Sequence, residues 1–352
     1  MNAEFFAAVE DIEKEKGIPR EYMYEKIEQA MMAAFRKDNP DYGENVEVVC
    51  DEAKKRIELL THMTVVETVA DPTCEIDLET ARKYSKKAGI GDELAVPVET
   101  RQFGRIAAQA AKQVIIQGIR EAERGIIYDE FNNKQHEVLT GVVNRIDPRT
   151  GAVSMRIGTG SDATEAVLTR AEQIPGEVLR EGDRARVYVL DVRRSTRGVQ
   201  IMISRSHPGL VRRLFEIEVP EIFDGTVEIK GIAREAGSRT KMSVWSSQPD
   251  VDAIGACVGP RGARVGEIIK ELAGEKLDIV EYSEQPETYI ANALAPAQVV
   301  SVTMLDEGKT CRVIVPDGQL SLAIGREGQN ARLAAKLTGY KIDIKPESGL
   351  GQ

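Results

Sequence analysis

The stretch "AIGACVGPRGARVGEII", residues 253–269, sets Gly259-Pro260-Arg261-Gly262 between an apolar run and a helical pattern. A single Gly-x-x-Gly is weak information, because glycine pairs occur in many turns. The chain repeats it: "LSLAIGREGQNARLAAKL", residues 320–337, places Gly325-Arg326-Glu327-Gly328 after a similar apolar approach and before another helical pattern. Downstream, "LAGEKLDIV" (272–280) aligns with "LTGYKIDIK" (337–345), and upstream "KMSVWSS" aligns with "KTCRVIVPD". The offset is 66 residues at Gly259/Gly325 and 65 at Gly274/Gly339, so one residue of slippage separates the loops from the strands that follow. Two copies of one small α/β unit explain this pattern most economically.

The residues before the repeat change character. From His136 to Arg205, "EVLTGVVNRI", "AVSMRIG", "EAVLT", "RARVYVLDV" and "VQIMISR" alternate apolar and polar positions, with turn signals at "DPRTG", "GTGSD" and "STRG". Five short strands in about seventy residues suit an OB-like Greek-key barrel, and their order resembles the S1-motif RNA-binding barrel. Further upstream, residues 1–36 read as two helices, "NVEVVCDEAKKRIELLTHMTVVETV" as a hairpin, "LETARKYSKKAG" as a short helix ending at Gly89, and "ELAVPVE" as a strand. "TRQFGRIAAQAAKQVIIQGIREAER", residues 100–124, is the clearest helix of this half, with Phe103, Ile106, Ala107, Ala110 and Val114 on one face. Arg101, Arg105 and Lys112 fall within about 40° of one another on the opposite side. A partner surface and a solvated helix face are equally good readings of that stripe.

The sequence thus predicts an α+β multidomain chain: a helix-rich α/β head over 1–130, an OB-fold barrel over 136–205, and repeat units over 206–283 and 284–348. At 352 residues several domains are expected. Net charge is −10, but it is unevenly spread. Residues 1–130 carry 18 basic and 27 acidic groups, 131–205 carry 12 and 9, and 206–352 carry 17 and 21. Nucleic-acid binding depends on where charge clusters, so an acidic total does not exclude it.

Helix, Gly-x-x-Gly, helix, strand, found twice at matched offsets, is the layout of a KH domain, whose loop clamps about four single-stranded nucleotides. Without Cβ atoms a nucleic-acid backbone comes close to the loop, and the N–H groups that open the next helix favour anions. Each copy begins helix-strand-strand and ends helix-helix-strand, which resembles the bacterial, type II form. The first loop carries Arg261, with Arg264 on the following helix, although Pro260 withholds one N–H donor. In the second loop Arg326 and Glu327 cancel, so Gln329 and Asn330 are expected to serve as neutral donors; a purely structural second turn remains the alternative. In the barrel Arg145, Arg149, Arg193, Arg194 and Arg197 cluster in predicted turns, where phosphate contact and plain solvation are equally open. Tyr188 is the only aromatic between His136 and Arg205, and Val153 stands where such barrels often carry phenylalanine, so base stacking there is not expected.

Catalytic readings find little support. No phosphate-binding Gly-x-x-x-x-Gly-Lys-Ser/Thr element is present, "GTGSDA" lacks the last glycine of a dinucleotide fingerprint, and His62, His136 and His207 are scattered. Cys50, Cys74, Cys257 and Cys311 lie far apart without metal spacing and read as reduced structural thiols. No metal, cofactor or enzymatic activity is expected. No apolar run reaches the roughly 18 residues of a spanning helix, and the N-terminus lacks a signal-peptide pattern, so neither membrane contact nor export is expected.

One barrel followed by two tandem KH units behind an acidic head closely resembles the NusA family of bacterial transcription elongation, termination and antitermination factors. The most specific segments are the 100–124 helix, "EVLTGVV", "FEIEVPEI", "DAIGACVGPRGARV" and "LAIGREGQNARLAAKLTG". The resemblance implies a cytoplasmic, non-enzymatic factor, expected as a monomer. Its head would dock on RNA polymerase at the flap region near the RNA exit channel, with Arg101, Arg105 and Lys112 facing the polymerase and the pause hairpin. Its barrel and KH pair would hold single-stranded nascent RNA and work alongside other antitermination factors. Members with C-terminal acidic repeats are autoinhibited by them, and "KPESGLGQ" after the second copy contains no such repeat, so the resemblance carries no autoinhibition over. An RNA-processing or ribosome-assembly accessory protein with KH and S1 modules is the alternative.

Overall fold

The computed structural model describes residues 2–38, 45–98, 103–158, 163–195, 198–305 and 308–351, and the chain divides into two compact units, Met1–Ile126 and Ile127–Gln352. In the first, α1 (Asn2–Lys16) and α2 (Arg20–Asp38) precede the antiparallel pair β1 (Val46–Asp51) and β2 (Arg56–Val66). The short β3 (Glu75–Asp77) lies parallel to β2, α3 (Leu78–Tyr84) follows, and β4 (Glu93–Pro97) returns antiparallel to β2. Ile27, Met31 and Phe35 of α2 bury against Val46, Val48 and Leu59, so the apolar face of the helix meets the inward side of the hairpin. The Asp77 side chain caps α3 by accepting from Thr80 N at 2.9 Å. That helix ends at Tyr84 and not at Gly89, because Ser85 is already extended and its N–H closes the last turn on Ala81 O.

The helix predicted over 100–124 is α4, Phe103–Asn132. Its final turns belong to the second unit, where Phe131 is fully buried in the barrel core beside Ile127 and Tyr128. The sequence signal faded at the charged "REAER", yet apolar side chains resume at 126–131 and continue the helix into the next core. The second unit therefore begins inside this helix, a few residues before the predicted end of the head.

The barrel consists of β5 (Val138–Ile146), β6 (Val153–Ile157), β7 (Thr164–Leu168), β8 (Arg184–Ser195) and β9 (Gly198–Ser204), closed in the order β5-β6-β7-β9-β8 with β8 back on β5. Among the described residues of the barrel, β7 and β9 form the one parallel pairing, Ala166 opposite Ile201, as in an OB-type barrel. Val143, Val153, Met155, Ile157, Val187 and Ile203 fill the interior, so the position expected to carry an aromatic holds a buried valine.

The repeat follows. The first copy runs α5 (Pro208–Glu218), α6 (Pro220–Phe223), β10 (Val227–Glu235), β11 (Arg239–Ser246), α7 (Ala253–Val258), α8 (Ala263–Glu271) and β12 (Lys276–Glu281). The second runs α9 (Pro286–Ala293), β13 (Ser301–Leu305), β14 (Thr310–Val315), α10 (Leu320–Ile324), α11 (Gln329–Thr338) and β15 (Lys341–Pro346). Each sheet is an antiparallel hairpin with a third strand parallel to its second, in the orders β10-β11-β12 and β13-β14-β15. Register makes Lys241, opposite Asp278, the counterpart of Arg312, opposite Asp343. The sequence alignment had set Lys241 against Lys309, three residues out of register, because the second copy reaches its loop from β14 in fewer residues.

Buried polar groups join the three modules of this unit. Arg205, only 2 % exposed, donates to Glu177 of the barrel segment, to Arg186 O on β8, and to the Glu271 carboxylate and carbonyl at the end of α8. Tyr188 stacks on His207 at 4.8 Å, so the barrel's one aromatic is spent on this junction. Burial pushes the His207 imidazole down, and its Nδ1 accepts from Gly209 N to cap α5. Between the copies, buried Lys241 donates to Ala295 O at 2.6 Å, and the Tyr289 hydroxyl lies 2.9 Å from Ser243 Oγ.

Candidate nucleic-acid interface

The two loops share one backbone. Gly259 and Gly325 have φ, ψ of 71°, 173° and 77°, 170°; Arg261 and Glu327 have 55°, 27° and 54°, 27°; Gly262 and Gly328 have 75°, 17° and 74°, 15°. The first position lies in a region that essentially only glycine occupies. It is also tightly packed: a Cβ on Gly259 would sit 2.6 Å from Arg264 Cγ, and one on Gly325 would sit 2.7 Å from Asn330 N. The third position places a non-glycine side chain in the left-handed region, which turns Arg261 and Glu327 out to solvent. Among the described residues no side chain caps α8 or α11; their first amides, Ala263 N and Gln329 N, donate back to Pro260 O and Arg326 O, and the helix dipoles place partial positive charge beside the loops.

The charges around this shared backbone differ as the sequence suggested. Arg261 and Pro260 are exposed in the first loop. In the second, Arg326 and Glu327 lie 3.8 Å apart at 93 % and 83 % exposure, a pairing that solvent screens almost entirely. Their charges offset one another at a distance, although the contact itself is weak.

Three residues expected to face a ligand are engaged inside the protein. Arg264 donates to Ala256 O at 2.7 Å and to Glu221 at 2.9 Å, bracing the first loop from behind. Its counterpart Asn330 is 2 % exposed and donates to Ala323 O and Leu294 O, both at 3.0 Å, so its amide is withdrawn from solvent. Gln329 donates to Glu235 and to Ser238 Oγ of the first copy, both at 2.8 Å. Arg332 joins it there: its Nε lies 2.6 Å from Glu235 Oε1, and its NH1 donates to Glu327 O inside the second loop at 3.2 Å. Glu235 escaped the sequence reading. Its only trace was that the positions matching Gln329 and Arg332 in the first copy are Ala263 and Gly266.

The barrel arginines do not form one cluster. Arg145 and Arg149 lie at the β5–β6 hairpin, whereas Arg193 and Arg194 lie on β8 near the β8–β9 hairpin. Because Val138 pairs with Tyr188 and Val142 with Arg184, those hairpins sit at opposite ends of the barrel. Arg193 pairs with Asp191, and Arg194 covers the Tyr128 ring at 4.3 Å. Arg197 lies outside the described residues, as does Arg101. Arg105 is on α4 but its side chain is not among those described, and Lys112 is exposed on that helix.

Among the described residues no group of three or more His, Cys, Asp or Glu side chains could hold a metal, and no helix is long and apolar enough to cross a membrane. Residues 4–125 match the NusA N-terminal domain, 205–282 the NusA-like first KH domain and 286–351 the NusA-like second KH domain. The transcription termination/antitermination protein NusA of Halalkalibacterium halodurans is 51 % identical over 99 % of this chain and 89 % of its own length. The chain belongs to the NusA family. The NusA proteins of Bacillus subtilis and Thermus thermophilus are 49 % and 43 % identical, over 99 % and 98 % of this chain and 92 % and 90 % of theirs. The architecture is the NusA one, with a NusA N-terminal domain, a closed five-stranded barrel and two KH domains. NusA membership makes the chain a non-enzymatic, RNA-binding transcription factor that works with RNA polymerase and nascent RNA.

Proposed function

We propose that the two Gly-x-x-Gly loops grip the backbone of single-stranded nascent RNA while the head docks on RNA polymerase at the flap region near the RNA exit channel. The observation that carries this reading is the identity of the two loop backbones, each opening a helix whose first amides no side chain caps. The first loop supplies more of the electrostatic grip, through Arg261, while Pro260 narrows its amide set. In the second, Arg326 and the loop amides face RNA, and Glu327 weakens the hold. Gln329, Asn330 and Arg264 act by shaping the loops. Arg145 and Arg149 at one end of the barrel, with Arg193, Arg194 and Arg197 toward the other, contact phosphates of an RNA strand that runs along the module. Arg101, Arg105 and Lys112 face the polymerase and the pause hairpin.

The mechanism is differential binding. States in which RNA occupies the linked modules while the head stays docked gain population, and these include paused, terminating and antiterminating complexes formed with other factors in the cytoplasm. Linkage raises the effective concentration of each next contact, so modest affinity per module suffices.

The direct test replaces Pro260-Arg261 and Arg326-Glu327 with paired aspartates in the full chain, with circular dichroism to check the fold. Single-stranded RNA affinity should fall at least tenfold, while unchanged affinity would remove the clamp reading. For the head, Lys112→Glu should shorten hairpin-stabilised pauses, and an unaltered pause lifetime would return that stripe to a solvated helix face.

A further inference from the structure

We infer that Glu235 of the first KH copy is a positioning residue for the second RNA loop, and that it sets the length of RNA that can span both loops. This rests on the proposed RNA grip of the two loops.

In both copies the second residue of the helix after the loop points back to a carbonyl of the preceding helix: Arg264 to Ala256 O, Asn330 to Ala323 O. That brace is local and common to both. The second loop has another support, reaching it from the other domain. The Glu235 carboxylate, at the end of β10, receives the Gln329 amide at 2.8 Å and the Arg332 guanidinium at 2.6 and 3.2 Å. Ser238, in the β10–β11 turn, takes a second bond from the same Gln329 amide. Arg332 then donates to the carbonyl of Glu327, the left-handed residue of the second loop. A planar guanidinium held by both carboxylate oxygens has little freedom to turn, so the carbonyl on its third nitrogen is held with it.

The first copy cannot be held this way. Its matching positions are Ala263 and Gly266, neither of which carries a donor, and a Cβ on Gly266 would meet nothing within 4 Å. One loop thus depends on its own domain, and the other is fixed by the neighbour that carries the first. The same turn also touches the barrel, since a Cβ on Gly237 would lie 2.5 Å from Pro175 O. The β10–β11 turn is therefore seated between the barrel segment and α11. A fixed separation between two grips selects RNA by the spacing of its contacts, because affinity peaks where the linker matches the span and falls when it does not.

The experiment uses the full chain and a probe of two adenosine tetranucleotides joined by abasic linkers of graded length, with one tetranucleotide as the control. The wild-type protein should show a peak of affinity at one linker length. Glu235→Gln should lower that peak by up to about fivefold and flatten the profile, while affinity for the single tetranucleotide stays as it was. Gln329→Ala should flatten it partway. Arg332→Ala, which removes the other partner, should flatten the profile as well, and combining it with Glu235→Gln should add little, a non-additivity that a general loss of stability would not give. A Glu235→Gln profile that superimposes on the wild-type one overturns the positioning role. If the paired-aspartate loop variant binds every probe as the wild type does, the RNA grip itself is what has failed.

Discussion

The two KH copies share a sheet order, a register and a loop backbone, yet equivalent positions lie in different surroundings. Lys241 and Arg312 occupy the same place on the second strand, opposite Asp278 and Asp343. In the first copy the second copy covers that face, and Lys241 is 0 % exposed, bonded to Ala295 O and lying 3.1 Å from Asp278. In the second copy Arg312 is 50 % exposed and sits 3.7 Å from Asp343. One repeat thus uses a charge pair to seat a neighbour, and the other keeps it as polar surface. Among stacked units, the last one needs such an outer face.

Truncating both positions should show the largest difference between the copies. Lys241→Ala leaves a carboxylate and a carbonyl in a buried contact without their ammonium. Breaking buried pairs costs about 3–5 kcal/mol, and because Arg239 still holds Asp278 at 2.6 Å the lower figure, about 3 kcal/mol, is expected. Arg312→Ala should cost less than about 0.5 kcal/mol. Denaturant unfolding of the two variants measures the contrast, and equal losses would show that coverage by the second copy does not matter.

The first glycines of the loops form the next pair. Alanine at either is forced into a glycine-only region, at about 1–3 kcal/mol. At Gly259 the added carbon meets the near end of the Arg264 side chain, Cγ, Cδ and Cβ, which turns only by releasing Ala256 O and Glu221, whereas at Gly325 it meets the Asn330 backbone amide, which moves only with the helix. Gly325→Ala should therefore fall near the upper figure and Gly259→Ala somewhat below it, as read by thermal or urea unfolding. A larger loss at Gly259 would mean that Arg264 cannot yield.

Much of this was legible in the sequence, for identifiable reasons. Alternation over 138–204 gave the five barrel strands, and the duplicated glycines gave the two KH units, because period and φ preference are local properties. The family match agrees with the resemblance carried by the 100–124 helix and the repeated loops. What stayed hidden depends on contacts far apart in the chain. Asn330 and Gln329 looked like free donors because nothing local marks the Leu294 carbonyl or the Glu235 carboxylate as their partners. The barrel arginines looked clustered because turn signals do not reveal which end of a closed sheet a hairpin occupies. Arg205 ended an ordinary strand pattern, and only the fold brings Glu177 and Glu271 to it.

Acid titration sharpens the contrast between the loop supports. Arg332, with help from Gln329, holds the Glu235 carboxyl below the usual carboxylate range although partial burial opposes this. With its folded value depressed, the ion pair contributes fully above the ordinary carboxylate range and is lost as pH falls through the lower, folded value. Arg332 is half exposed, so the contribution is about 1 kcal/mol or less. The stability gap between wild type and Glu235→Gln should thus be open at neutral pH and close in acid. A gap that persists at low pH would assign the effect to packing.

The smallest effect on stability comes with opposite effects on binding. Arg261 and Glu327 hold the same left-handed conformation, which costs an ordinary residue about 1–2 kcal/mol and glycine almost nothing. Glycine also gives the unfolded chain more freedom, at about 0.5–1 kcal/mol. Arg261→Gly and Glu327→Gly should each leave stability within about 1 kcal/mol of wild type. RNA separates them, because the backbone is common and only the charge differs. Arg261→Gly should weaken single-stranded RNA binding by about tenfold, roughly 1.4 kcal/mol, and reduce the slope of log K against log salt by about 0.7, one phosphate contact. Glu327→Gly removes a carboxylate from beside the strand and leaves Arg326 without its opposing charge, so affinity should rise, by about twofold given how exposed both groups are. If both substitutions weaken binding alike, the side chains matter for loop shape, and the first loop has no electrostatic advantage over the second.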